Sequence, residues 1–351
     1  GVDNVELLTG EPGVQNITTV QELLDAINGQ IDEDRTLPRL GLTFRPVDGL
    51  RLSCSYSKAY GLPSFREIGY YLSVPDGADE QVLGNPNLVV SDAENYDVRV
   101  EYSQPETGLL LSVSGFRKDI ENPIEPIVLT DPLTETKYQT FFNNSNGASI
   151  DGFEVELKAN TGFNRVSWLE NFYFGVNYTQ IFSKTQRSQA IIDLYSPYFA
   201  DQSKAPARAR SVNVIGDPVL YDEMSSERRL FNQPESIANA FLTYNNPDWG
   251  LTATLSYYSI SDVLVNVGSV GLNRTGVVTN ATLDRYNDAY DEFTLTVSKT
   301  LLGGKLKFTA KNITDSERKV IYDKEALANQ EVAERSYKVG VDCSLSFTYE
   351  F

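Results

Sequence analysis

The last fifteen residues, Tyr337–Phe351, read YKVGVDCSLSFTYEF and alternate apolar with polar side chains throughout. Strand side chains point to opposite faces in turn, so Tyr337, Val339, Val341, Cys343, Leu345, Phe347, Tyr349 and Phe351 share one uncharged face. Lys338, Gly340, Asp342, Ser344, Ser346, Thr348 and Glu350 share the other. Globular strands usually stop near five or six residues, whereas a tilted membrane strand needs roughly nine to eleven. The segment therefore reads as a strand with one face suited to lipid.

The same alternation recurs upstream. It predicts strands over 36–46, 50–60, 91–104, 108–120, 138–160, 168–183, 229–245, 250–262, 285–300, 305–316 and 334–351, eleven in all. Their outward faces hold sets such as Leu40, Leu42 and Phe44; Tyr96, Val98, Val100 and Tyr102; and Phe172, Phe174, Val176 and Tyr178. The opposite faces carry Arg99, Glu101, Glu154, Glu156 and Lys158, which suits a wet interior wall. Glu154 and Glu156 project about 7 Å apart along one strand face. Short connections at Pro46–Gly49, Gln104–Gly108, Asn160–Ser167, Asn245–Gly250 and Leu301–Gly304 are rich in turn residues. Long ones cover 61–90, 121–137, 184–228, 263–285 and 317–335. Alternating short turns and long loops mark an up-and-down antiparallel transmembrane β-barrel, with the turns periplasmic and the loops extracellular. Residues 1–35 do not alternate and read as the tail of an extracellular loop, with a short helix over Thr18–Asn28 capped by Thr18 or Thr19.

Composition narrows the function. A net charge of −18 and the absence of His argue against nucleic-acid binding. Without His, neither a Ser-His-Asp triad nor a His-based zinc site can be built, and Glu154 and Glu156, neighbours on one strand, do not flank a substrate bond. No enzymatic activity, metal or cofactor is expected. Cys54 and Cys343 fall on outward positions as small hydrophobes. No apolar run is long enough for a membrane helix. With no initiator Met and no leader pattern among the first residues, a secretory signal is expected to be removed or to lie upstream of this sequence. An odd strand count suggests that further strands lie upstream, since single-chain bacterial barrels have even numbers.

Several segments together resemble the C-terminal half of the barrel of a TonB-dependent outer-membrane receptor. They are LPRLGLTFRPVDGLRLSCSYSKAYGLPSFREI at 37–68, GNPNLVVSDAENYDVRVEY at 84–102, FFNNSNGASIDGFEVELKAN at 141–160, FNQPESIANAFLTYNNPDWGLTATLSYY at 231–258, KLKFTAKNITD at 305–315 and RSYKVGVDCSLSFTYEF at 335–351. Phe153 stands where the family's pattern has an aliphatic residue. The resemblance implies a 22-stranded barrel with residues 36–351 as its C-terminal half, and a plug and N-terminal strands outside this sequence. It also implies the Gram-negative outer membrane and active uptake of a scarce solute such as a ferric siderophore, cobalamin or a glycan. The partners implied are outer-membrane lipid, the TonB energy-transducing complex acting through the plug, and a small-molecule or oligosaccharide ligand. Gly340, Phe347, Tyr349 and Phe351 resemble the terminal signal read by the barrel assembly machinery. Candidate ligand contacts are Arg66, Tyr70 and Tyr71 in one loop and Arg208 and Arg210 in another, where Arg187, Lys204 and Arg228 could also attract an anion. A passive channel and a soluble β-rich binding or adhesive domain are the alternative readings.

Overall fold

The computed structural model describes residues 34–69, 72–73, 81–105, 108–130, 137–161, 170–186, 227–267, 270–272, 278–281, 283–324, 327 and 329–349. Eleven strands form one antiparallel sheet in chain order. They are β1 (Arg39–Val47), β2 (Leu50–Gly61), β3 (Ser91–Gln104), β4 (Leu109–Glu121), β5 (Ala148–Asn160) and β6 (Phe172–Gln186), followed by β7 (Ser236–Asn246), β8 (Leu251–Ile260), β9 (Tyr290–Leu301), β10 (Gly304–Lys311) and β11 (Asp342–Tyr349). Every neighbour in the sheet is a neighbour in sequence, and the sheet is open with β1 and β11 at its edges.

Register turns the local alternation into two continuous faces. Leu50, Tyr102, Leu111, Leu157, Val176, Ala240, Tyr257 and Phe293 stand opposite one another across β2–β9. One residue along each strand, the row becomes Arg51, Glu101, Ser112, Glu156, Asn177, Asn239, Tyr258 and Glu292. A slip of one residue at any pair would exchange the faces. Keeping each Leu, Val or Phe of the first row in water forgoes about 1.5–3 kcal/mol, so this face calls for an apolar neighbour.

Turn chemistry fixes the short end. Gly49 has φ +80, and a Cβ there would lie 2.5 Å from the Ser103 carbonyl oxygen, so the β1–β2 turn admits only glycine. The register shift before it falls between Phe44 and Val47, around Pro46, whose missing N–H suits a bulge in an edge strand. The β9–β10 hairpin closes on Leu302 and Gly303, both at positive φ. Among the described residues, all other non-glycine residues with positive φ are Asn or Asp. A leucine there carries a strain of about 1–2 kcal/mol.

Within the long connections, described residues pair into small sheets of their own. Leu72–Ser73, Gln81–Leu83, Lys137–Asn143 and Ile124–Thr130 form one small sheet, and Val263–Asn266, Arg285–Asn287, Glu317–Tyr322 and Ala333–Lys338 form another. Three strands expected to be continuous are accordingly divided. The one expected over 285–300 splits at 288–289, between Arg285–Asn287 of the second small sheet and β9. The one expected over 138–160 breaks at Asn144–Gly147, where Gly147 has φ +70. The one over 334–351 breaks at Gly340, φ +85. The Asn312 side chain donates to the Gly340 carbonyl at 2.9 Å and the Gly340 N–H donates to Asp315 at 3.1 Å. This clamp directs the chain from the small sheet into β11. The strand expected over 305–316 ends at Lys311 for the same reason, because Asn312 and Asp315 take left-handed turn positions. The expected helix over Thr18–Asn28 lies outside the described residues. A one-turn helix, α1 (Phe65–Ile68), stands in the expected loop 61–90.

Each loop sheet has an apolar core: Val82, Leu88 and Phe141 with Ile124 in one, and Leu264, Val267, Tyr286 and Ile321 in the other. An Ile127–Val267 bridge joins them. Truncating the fully buried Leu264 to Ala should cost about 2–5 kcal/mol of loop stability. Limited proteolysis and hydrogen exchange should show faster opening of 263–287 and 317–338, with the eleven-strand sheet unaffected.

Candidate functional site

The polar face centres on an ion network that crosses four strands. Arg51 of β2 pairs with Glu101 of β3 at 2.8 Å. Arg99, two residues along β3, reaches Glu101 at 3.1 Å and Glu156 of β5 at 3.0 Å. Lys158 closes the chain on Glu156 at 2.5 Å. Ser114 accepts from Arg99 at 3.3 Å, and the Ser112 hydroxyl donates to Glu156 at 3.4 Å. Asn177 of β6 donates to Glu154. Isolated half-exposed pairs contribute about 0–1 kcal/mol each, but a shared network holds its members in one geometry.

A second cluster stands at the loop end. Glu125, 0% exposed, comes from Ile124–Thr130, and Arg228 comes from a two-residue strand, Glu227–Arg228, that pairs with the end of β6. They form an ion pair at 2.7 Å in which the Arg228 side chain is 5% exposed. Asn144 donates to Glu125 at 2.9 Å, to the Thr185 hydroxyl at 3.1 Å and to the Gln186 carbonyl at 2.7 Å. Its neighbour Asn143 accepts from the Val89 N–H and donates to the Val89 and Asn122 carbonyls. Four segments distant in sequence are thereby tied to the top of β6.

Two arginines lie over tyrosine rings at the same end. Arg318 sits 3.2 Å from the ring centroid of Tyr290 and pairs with Glu292 at 3.1 Å. Arg229 lies 4.9 Å from the Tyr286 centroid and pairs with Asp262 at 2.6 Å. Burial, then the carboxylates of Asp284 and Asp323, push the Tyr286 phenol above its ordinary range, so it stays protonated. Lys319 and Lys324 hold the Glu331 carboxyl below its ordinary value of 4.5, through hydrogen bonds and charge.

The structure brings Arg99, Glu101, Glu154, Glu156 and Lys158 onto one face. Arg66 is exposed on α1, whose Ser64–Glu67 capping box fixes the turn. Phe347 and Tyr349 lie on β11 opposite Leu306 and Gly304, and Gly340 is the hinge before that strand. Tyr70, Tyr71, Arg208, Arg210 and Phe351 lie outside the described residues. Arg228, expected to attract an anion, is instead buried against Glu125. Glu125 was missed; its signal is a lone acid inside the apolar stretch PIEPIVL, 123–129.

An antiparallel sheet with one apolar face, one polar face, and its long loops gathered at one end is the wall of a transmembrane β-barrel. A family model for the TonB dependent receptor-like β-barrel matches residues 4–313, and the chain belongs to that family. Its members are transporters of the Gram-negative outer membrane, not enzymes. Among solved structures, a mutant of the ferric enterobactin receptor of Pseudomonas aeruginosa in complex with enterobactin is similar at 15% identity and a TM-score of 0.52, over 90% of this chain and 40% of that one. The copper transporter OprC is similar at 13% identity and a TM-score of 0.53, over 89% of this chain and 39% of that one. This chain thus spans about two-fifths of the length of either. No curated protein matches it.

Removing Arg228 alone (Arg228→Ala) strands a buried carboxylate and should destabilise the loop end by about 3–5 kcal/mol, while the double change Glu125→Leu with Arg228→Met should recover most of that loss. A double-mutant cycle on thermal or denaturant unfolding reads the coupling. The depressed Glu331 carboxyl contributes stability above pH 4.5 that is lost as pH falls through its lower folded value. The Glu331→Gln variant should therefore match the parent at low pH and be slightly weaker near neutrality in a pH-resolved melting series.

Proposed function

We propose that this chain forms part of the barrel wall and ligand-capturing loops of an outer-membrane receptor that actively imports a small molecule. The carrying observation is the pair of adjacent rows, apolar through Leu50–Phe293 and polar through Arg51–Glu292, held in register over eight strands. The apolar row fits outer-membrane lipid, and the polar row, including Arg99, Glu101, Glu154, Glu156 and Lys158, fits a wet lumen facing a plug. Energy from the TonB complex would arrive through that plug. Gly340, Phe347, Tyr349 and Phe351 would present the terminal strand to the assembly machinery.

The ligand we favour is a metal chelate, with a ferric siderophore as the leading case. A bare copper ion calls for soft or imidazole ligands. The sequence has no His and a single Met, and both cysteines lie in the apolar rows, Cys54 opposite Val98 and Cys343 opposite Ala310. Planar guanidinium on planar phenol, as at Arg318–Tyr290, suits the flat, oxygen-rich surface of a chelate. This pair joins Arg66, Tyr70, Tyr71, Arg208 and Arg210 as candidate contacts, whereas Arg229 lies over Tyr286 in the buried core of its loop sheet.

Uptake of radiolabelled ferric siderophores by cells expressing the complete receptor tests this reading. Import should vanish in a tonB deletion, whereas a passive channel would be indifferent to it. Arg318→Ala should lower uptake about tenfold, the equivalent of roughly 1–2 kcal/mol of lost binding. Unchanged uptake would remove Arg318 from the ligand site.

A further inference from the structure

We propose that the β9–β10 hairpin tip at Leu302 and the adjoining turn at Trp249 form an anchor that inserts into the phospholipid leaflet at the short-turn end of the sheet. The inference rests on the membrane reading above and adds to it the place where the barrel is held.

Leu302 is the exception in its own structural class. The other non-glycine residues with positive φ among the described residues are Asn122, Asn232, Asn312, Asp315 and Asn329, types whose short polar side chains suit that conformation. A two-residue hairpin of this kind favours Asn-Gly, yet Leu-Gly occupies it and leaves Leu302 83% exposed. An apolar side chain held in a strained conformation and left this exposed calls for a partner outside the chain.

The neighbouring turn supplies the same chemistry. Trp249 is 62% exposed. The two turns are joined, since the Thr300 N–H donates to the Gly250 carbonyl at 2.8 Å. Tyr349 extends the patch, its ring edge 3.1 Å from where a Cβ would stand on Gly303.

Lipid, rather than a protein, is the occupant that continuity selects. Along this end the apolar face carries rings at Tyr102 on β3 and at Phe172 against Tyr244, 5.1 Å apart, on β6 and β7, with aliphatic side chains at Leu50 on β2 and Leu111 on β4. On β8 and β9 the equivalent level holds Leu251 opposite Lys299, with no ring. Trp249 adds a ring there, its indole suited to the boundary between acyl chains and headgroups. Lys299 marks the same boundary. It stands between Leu251 and Leu306, and its amine turns away to the Trp249 carbonyl, the posture of a lysine reaching from an apolar layer to a polar one.

The test measures tryptophan fluorescence of the complete receptor in phospholipid vesicles with brominated acyl chains, taking Trp249 as the difference between the parent and Trp249→Phe. The anchor predicts that brominated lipid removes the greater part of the Trp249 emission, that aqueous acrylamide removes little, and that Leu302→Asn reverses this order with the barrel still folded. A second reporter, Leu345→Trp on the outward face of β11, separates the two levels of the argument. If that reporter is quenched by lipid while Trp249 responds only to acrylamide, the anchor is wrong and the membrane reading stands. If neither responds to lipid, both fail. If Leu302→Asn leaves the Trp249 response unchanged, Leu302 is not part of an anchor.

Discussion

Backbone pairing in register is the constraint on which the rest of the molecule depends. A sheet placed in lipid has no water to satisfy its amides and carbonyls, so each strand must be bonded along its length to its neighbours. That pairing carries the period-two alternation of each strand into its neighbour. The apolar row from Leu50 to Phe293 and the polar row from Arg51 to Glu292 are one residue apart on every strand they cross. The polar network then strengthens what the backbone imposes. Arg99 reaches Glu156 across β4, where Ser112 stands between Glu101 and Glu156 in the same row.

At the loop end a different economy operates. The connections fold into small sheets with cores of their own, and a buried ion pair from segments 103 residues apart in sequence fastens them to β6. Desolvating Glu125 and Arg228 is costly, so the pair is better understood as a device that selects one arrangement of loops than as a source of net stability. Loops fastened this way hold the Arg318–Tyr290 pair in a fixed position.

Much of this was legible in the sequence. The eleven wall strands follow from alternation and turn residues, and β3 lies over 91–104 as read, because nothing in that strand competes with its period. The expectation failed where one alternating run serves two sheets. Tyr337 to Tyr349 alternates throughout, yet Lys338 pairs with Glu317 and Asp342 with Lys311, because the Asn312–Asp315 clamp on Gly340 diverts the chain. Local periodicity specifies a strand and its faces but not its partner. Arg228 misled for a related reason. A basic residue in a long loop reads as solvent-facing, and only the fold brings Glu125 to it.

The most direct measurement of the central claim uses the two native cysteines, which both sit in apolar rows. Nitroxide labels on Cys54 and Cys343 of the complete receptor in a bilayer, compared with a label on a Lys158→Cys variant lacking the native thiols, report collisions with oxygen and with a water-soluble nickel chelate. The account predicts that Cys54 and Cys343 favour oxygen and exclude nickel, with the order reversed at position 158. Equal access of nickel to all three would contradict a sheet with one face in lipid and the other in water.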